Sequence, residues 1–190
     1  TLTTEGAYQI QRDELKTKTV AVTPTENNET DEQAIERIAA RFSILDEMAE
    51  AVSTSKVRAM IVSGPPGIGK SDGVERALEK RSMFDDIANQ ARKFEVVKGA
   101  MSAIGLYCKL FNYADKDNVL VFDDCDSIFA DELSLNILKA ALDSKKNRTI
   151  QWNTVSFKLR DEGVPDSFPF KGGAIFITNL KFDKSKGKVR

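Results

Sequence analysis

Eight residues of this sequence, Gly64-Pro65-Pro66-Gly67-Ile68-Gly69-Lys70-Ser71, follow the spacing G-x-x-x-x-G-K-[ST], which suits the chemistry of phosphate. Glycines at 64, 67 and 69 let the backbone curl until successive N–H groups point inward. A helix that starts inside the loop would add its partial positive end. Lys70 would reach the β- and γ-phosphates of a nucleotide, and the Ser71 hydroxyl would be a ligand for Mg2+. Asp72 closes the stretch expected to contact the ligand. Farther along, Val119-Leu120-Val121-Phe122 is an apolar run that ends in two carboxylates, Asp123 and Asp124. Mg2+ is hard, oxygen-seeking and keeps several waters, so one carboxylate at a strand end suffices, and that is Asp123. Asp124 would orient or deprotonate an attacking water. A solvated acidic turn that caps the next helix is the plain alternative. It suits Asp126 and Asp131 better than Asp123.

Composition narrows the chemistry further. The 190 residues include two cysteines, Cys108 and Cys125, and no histidine. Zinc sites and histidine bases are therefore unsupported, and Cys125 inside the acidic block reads as a small apolar spacer. A net charge of −1 does not suit a surface coated for nucleic acid, though it averages over faces that can differ. No apolar run approaches a membrane span and no secretory signal pattern occurs, so the expectation is a cytoplasmic protein with no membrane contact.

The elements that must position these residues are legible as alternating strands and helices. Val57–Val62 reads as a buried strand running into the glycine loop, followed by a helix to about Arg81. Phe94–Val97 is a second strand and Ser102–Tyr113 a helix. Val119–Phe122 is apolar throughout, as in a strand covered on both faces. Leu133–Leu142 is a helix, and Ala174–Thr178 is the last strand. The alternation predicts an α/β fold, a parallel sheet with helices on both faces. Upstream, Ile35, Ile38, Phe42, Leu45, Ala49 and Val52 lay one apolar stripe along Asp31–Val52. That helix is expected to pack beside the nucleotide, with adenine contacts near its end. In Thr149–Leu159, Ile150/Trp152 and Val155/Phe157/Leu159 alternate as in a β-hairpin, with Trp152 packing it. A Gly- and Pro-rich stretch spans Gly163–Gly173. The Lys145-Lys146-Asn147-Arg148 cluster either caps the preceding helix or touches nucleic acid phosphates, and the cap is favoured. Residues 1–30 are polar and read as a flexible tail or arm, with room for a small strand at Thr19–Val22.

These motifs together resemble those of AAA+ ATPases. Gly64–Ser71 is similar to their Walker A loop, and Phe122-Asp123-Asp124-Cys125-Asp126-Ser127-Ile128 to their Walker B block. Ile175-Phe176-Ile177-Thr178-Asn179 resembles the strand that ends in the polar sensor-1 residue, a role the resemblance gives to Asn179. It implies a P-loop NTPase core over residues 31–190, with ATP or ADP and Mg2+ as ligands. It also implies a homo-oligomeric ring that acts on a nucleic acid or protein. Asp124 stands where most members carry Glu. The chain ends soon after Asn179, so the last core strand, the arginine finger and the helical lid are expected to be missing. Lys98-Gly99-Ala100-Met101 falls where many members place a pore-facing loop. It has no aromatic residue, which suits an anionic strand better than a peptide, while a solvated lysine beside a turn glycine is the weightier reading. Superfamily 3 helicases are also similar: they carry Gly-x-Pro-x-x-Gly-Lys-Ser, an Asp-Asp strand end, a Thr-Asn strand end and a hairpin before it. A third reading, prompted by Asp124, is an ATP-binding assembly switch with negligible turnover.

Overall fold

Four short apolar segments pair into one sheet, and the alternation of their side chains decides what covers each face. The computed structural model describes residues 29–87, 93–145 and 147–180. The expected tail, apart from Glu29 and Thr30, lies outside the described residues, as do the strand suggested at Thr19–Val22 and Lys146 of the basic cluster.

The chain forms two compact units, Thr1–Glu36 and Arg37–Arg190. In the first, the Thr30 hydroxyl accepts from the Gln33 amide at 3.3 Å, and the Gln33 side chain accepts from the Thr30 amide at 3.1 Å. This reciprocal cap starts helix α1 (Asp31–Ser53), whose first turn carries Asp31 and Glu32, where the helix dipole favours negative charge.

The second unit holds α1 from Arg37 onward and then β1 (Ala59–Ser63), α2 (Lys70–Ile87), β2 (Phe94–Lys98), α3 (Ala103–Asn112), β3 (Val119–Asp123), α4 (Ser127–Ala130) and α5 (Glu132–Ala141), then β4 (Thr149–Gln151), α6 (Phe157–Asp161), β5 (Ser167–Pro169) and β6 (Gly173–Thr178). The main sheet runs β1-β6-β3-β2 and is wholly parallel. Its inner strands β3 and β6 are buried at every residue. Period-2 alternation sends Val119, Val121, Ile175 and Ile177 to one face, against Ala49 and Val52 of α1 and Val74 and Leu78 of α2. Leu120, Phe122, Ala174 and Phe176 go to the other, against Leu106 and Leu110 of α3 and Ile137 and Leu138 of α5. Phe122 and Phe176, paired in register, stack with ring centroids 5.1 Å apart. Helices therefore cover both faces, as the sequence pattern predicts.

Local caps follow their residue types. Ser102 accepts from the Gly105 amide at the start of α3. Asp131 accepts from the Ser134 amide at 2.9 Å and its hydroxyl at 2.6 Å at the start of α5, and these bonds hold its carboxyl below the usual range. At the other end of α5, Arg148 donates to the Ala141 carbonyl at 2.9 Å and to the Gly172 carbonyl at 3.2 Å, which is the capping role expected of the basic cluster. Among the described residues no helix is long and apolar enough to cross a membrane.

Three expectations are corrected. Thr149–Leu159 is not a hairpin: β4 pairs antiparallel with β5, with Ile150 opposite Phe168, and the second half of the alternation is helix α6. Ser156 caps that helix through the Leu159 amide, leaving only Leu159 buried while Val155 and Phe157 face solvent. A three-residue alternation is too short to separate a strand from one helical turn. The helix after the glycine loop runs past Arg81 to Ile87. The apolar stripe of α1 is buried only toward its end, at Ala49 and Val52, while Ile38 stays exposed.

Candidate functional site

The carboxyl ends of the parallel strands meet in one row. Ser63 of β1 is opposite Thr178 of β6, Ile177 is opposite Asp123 of β3, and Asp123 is opposite Lys98 of β2. In open α/β sheets this is the edge where ligands bind. The glycine loop, the acidic pair and Asn179 all leave the sheet here.

The loop bends as its glycines require. Gly67 (φ +78°) and Gly69 (φ +82°) occupy the left-handed region that other residues rarely adopt. Gly64 does not; there the constraint is space, since a Cβ would lie 3.0 Å from Ile68 Cδ1. Pro65, Pro66 and Ile68 are exposed on the loop. Lys70, the first residue of α2, is buried, and its ammonium donates to the Gly64 carbonyl at 2.9 Å, the Pro65 carbonyl at 2.8 Å and Asn179 Oδ1 at 2.9 Å. All three of its N–H groups thus have oxygen partners, which is how a buried ammonium is tolerated. Asp72 is exposed in the first turn of α2 and is not drawn into this network.

The acidic strand end splits into distinct roles. Asp123 is buried; its Oδ1 accepts from Ser71 Oγ at 2.9 Å and its Oδ2 lies 3.4 Å from Lys98 Nζ. Asp124 turns into the left-handed region at φ +52°, uncommon for a residue with a side chain. Its amide donates to the Ile177 carbonyl at 3.0 Å and its carboxylate accepts from Asn179 Nδ2 at 3.1 Å. Asn179 therefore bridges Lys70 and Asp124. Asp126, expected as a helix cap, makes no side-chain cap bond; its carboxylate accepts from Thr178 Oγ1 at 2.6 Å and so ties α4 to the end of β6. Cys125 is buried, its thiol donates to the Val97 carbonyl at 3.3 Å, and burial pushes its pKa up, which keeps it a thiol and fits a spacer.

Lys98 is largely exposed and sits beside Gly99 at φ +89°, as the solvated-lysine reading expects, and it also has two carboxylate partners which that reading did not include. Its ammonium lies 3.0 Å from Glu75 Oε1 as well as near Asp123, and the hydrogen bond and charge of Glu75 are the leading causes that raise its pKa. Glu75 stands one turn beyond Ser71 on α2, and that spacing was the only local hint.

Beside the loop lies an open cleft of about 710 Å3, lined by Ile38, Phe42, Leu45 and Met48 of α1, by Met60–Ser63 of β1, and by Pro65, Ile68 and Lys70. Arg37 and Arg41 of α1 also line it, so a mostly apolar wall carries three cationic side chains with Lys70, and its volume lies in the range of small-molecule sites. Phe42 reaches the loop itself, 3.4 Å from where a Gly69 Cβ would stand. For a divalent ion the protein donors on offer are the Ser71 hydroxyl and the Asp123 carboxylate. Among the described residues no group of three or more His, Cys, Asp or Glu side chains forms a ready cage. Such a sparse set fits Mg2+, which is usually held by one or two protein oxygens with phosphate and water completing the shell.

No protein-family model matches the chain. Over 148 residues it is 36% identical to an uncharacterised 36.7 kDa protein encoded in the nrdC-mobD intergenic region of Enterobacteria phage T4. The aligned segment covers 78% of this chain and 44% of that protein, so the chain spans less than half the length of this relative.

Proposed function

We propose that this chain is a Mg2+-dependent, ATP-binding and ATP-hydrolysing domain with a P-loop core of the AAA+ type, part of an oligomeric assembly that remodels or moves a macromolecule. The observation that carries the reading is the Lys70–Asn179–Asp124 chain of hydrogen bonds beside the Ser71–Asp123 pair, all at the carboxyl edge of one parallel sheet and next to an apolar cleft. In it the backbone N–H groups of Gly67–Ser71 hold the phosphates. Lys70 exchanges the Gly64 and Pro65 carbonyls for β- and γ-phosphate oxygens. The cleft under α1 receives the base, against Phe42 and Ile38. Asp124 accepts a proton from, or orients, the attacking water, and Asn179 holds that carboxylate in place. Ser71 and Asp123 hold Mg2+, which when bound neutralises charge on the β- and γ-phosphates.

The helicase alternative rests on the same strand ends. Its further support, a hairpin ahead of the Thr178-Asn179 strand, is replaced by helix α6. Steady-state phosphate release by the full-length protein tests the main reading. Lys70→Ala should abolish it, and unchanged turnover in that variant would contradict the assignment.

A further inference from the structure

Lys98 closes β2 opposite Asp123, and the residue after it, Gly99, turns the chain out of the strand at φ +89°. Its ammonium is shared between Glu75 Oε1 at 3.0 Å and Asp123 Oδ2 at 3.4 Å. Asp123 Oδ1 is already taken by Ser71 Oγ at 2.9 Å. Both oxygens of a carboxylate that is only 8% exposed are thus covered, one by a hydroxyl and one by a cation. Lys98 itself is 61% exposed, so its long side chain can swing without disturbing the core. The ammonium has two carboxylate partners, and the nearer one, Glu75, is not a candidate metal ligand.

We infer that Lys98 is a resident counter-charge for Asp123, a positioning residue that sets how tightly the site takes a divalent cation. This rests on the nucleotide reading of the same site. Without the divalent ion, Lys98 offsets the charge of the buried Asp123 carboxylate while also holding Glu75 of α2. When the ion binds, the two cations repel, and Lys98 moves wholly onto Glu75, its shorter contact. Glu75 therefore favours metal binding by drawing the lysine away.

The opposed signs of two substitutions make this testable. Lys98→Met removes the competing cation and should tighten divalent binding by about tenfold, since like charges a few ångströms apart at a protein surface repel with an energy of that order. Glu75→Gln leaves the lysine committed to Asp123 and should weaken divalent binding by about as much. In the double variant no lysine remains to be drawn away, so the loss of Glu75 should matter little and affinity should follow Lys98→Met. The measurement is a Mn2+ titration of the full-length protein followed by electron paramagnetic resonance with a non-hydrolysable ATP analogue present. Binding of a fluorescent ATP analogue in EDTA serves as the parallel control, and Lys98→Gln as a second, polar variant. Tighter Mn2+ in both lysine variants and weaker Mn2+ in Glu75→Gln supports the inference. Unchanged or weaker Mn2+ binding in both lysine variants overturns it while nucleotide binding by the wild type stands. A wild type that binds neither nucleotide nor Mn2+ overturns both the inference and the reading beneath it.

Discussion

Asp124 is one of three non-glycine residues among the described ones, with Ser55 and Asp117, whose backbone enters the left-handed region. After five extended residues of β3 it turns to φ +52°, and that turn aims its carboxylate at Asn179. A short acidic side chain in the left-handed region is tolerated better than a branched or bulky one, so the Asp at this position also suits the local geometry. Asp124→Asn keeps both size and backbone tolerance but cannot accept a proton. It should lower ATP turnover by about 10² to 10⁴-fold. Nucleotide affinity should be unchanged and stability should stay within about 0.5 kcal/mol of the wild type. Turnover kinetics beside a binding titration check this, and full activity in the variant would remove Asp124 from the chemistry. Of the residues that sequence made legible, Lys70 and Ser71 close a contiguous glycine-loop motif, while Asp123, Asp124 and Asn179 end or directly follow an apolar strand, so a local pattern points to each. Glu75, Lys98 and the Asp126–Thr178 bond escaped, because they depend on strand register and on the face of α2, which no local pattern encodes.

At the scale of elements, the close approach between the turn after α3 and the start of β6 sets a strict size limit. A Cβ at Gly172 would lie 2.3 Å from the Tyr113 carbonyl oxygen and 3.2 Å from that of Asn118. The Asn118 oxygen accepts from the Gly173 amide, and the Lys171 amide bond to the Ala114 carbonyl ties down the residue next to Tyr113. Gly172→Ala should therefore destabilise the fold by about 1–3 kcal/mol, the usual cost of overpacking, as read by urea denaturation. A neutral result would mean that the turn is free to shift. The strands of the main sheet were legible because each is apolar and short, and the longer helices because their apolar spacing is helical, whereas the short α4 and α6 were not. The small β4–β5 pair was not. Its second strand lies in a stretch whose glycines and prolines signal a loop, and its partner is separated from it by α6, so neither periodicity nor adjacency revealed the pairing.

For the whole molecule, the order β1-β6-β3-β2 places the last strand in the middle and leaves β1 and β2 at the edges of the sheet among the described residues. Alternating strands and helices implied the α/β class and the two covered faces. They did not dictate this order, which arises because β6 returns to fill the gap between β1 and β3. Hydrogen exchange should accordingly be slowest for the amides of β3 and β6, buried on both faces and paired on both sides, and faster for β1, where Ile61 is 53% exposed. Equal protection of β1 would indicate that its outer side is covered in solution. The same order makes the site, since inserting β6 beside both β1 and β3 brings Asn179 within reach of Lys70 and Asp124 at once. Equilibrium titration of the full-length protein with a fluorescent ATP analogue probes that site most directly. A phosphate site at the glycine loop predicts saturable binding that Lys70→Ala weakens by about 10- to 100-fold, the value of a charge-assisted hydrogen bond. No binding by the wild type, or equal affinity in the two proteins, would contradict it.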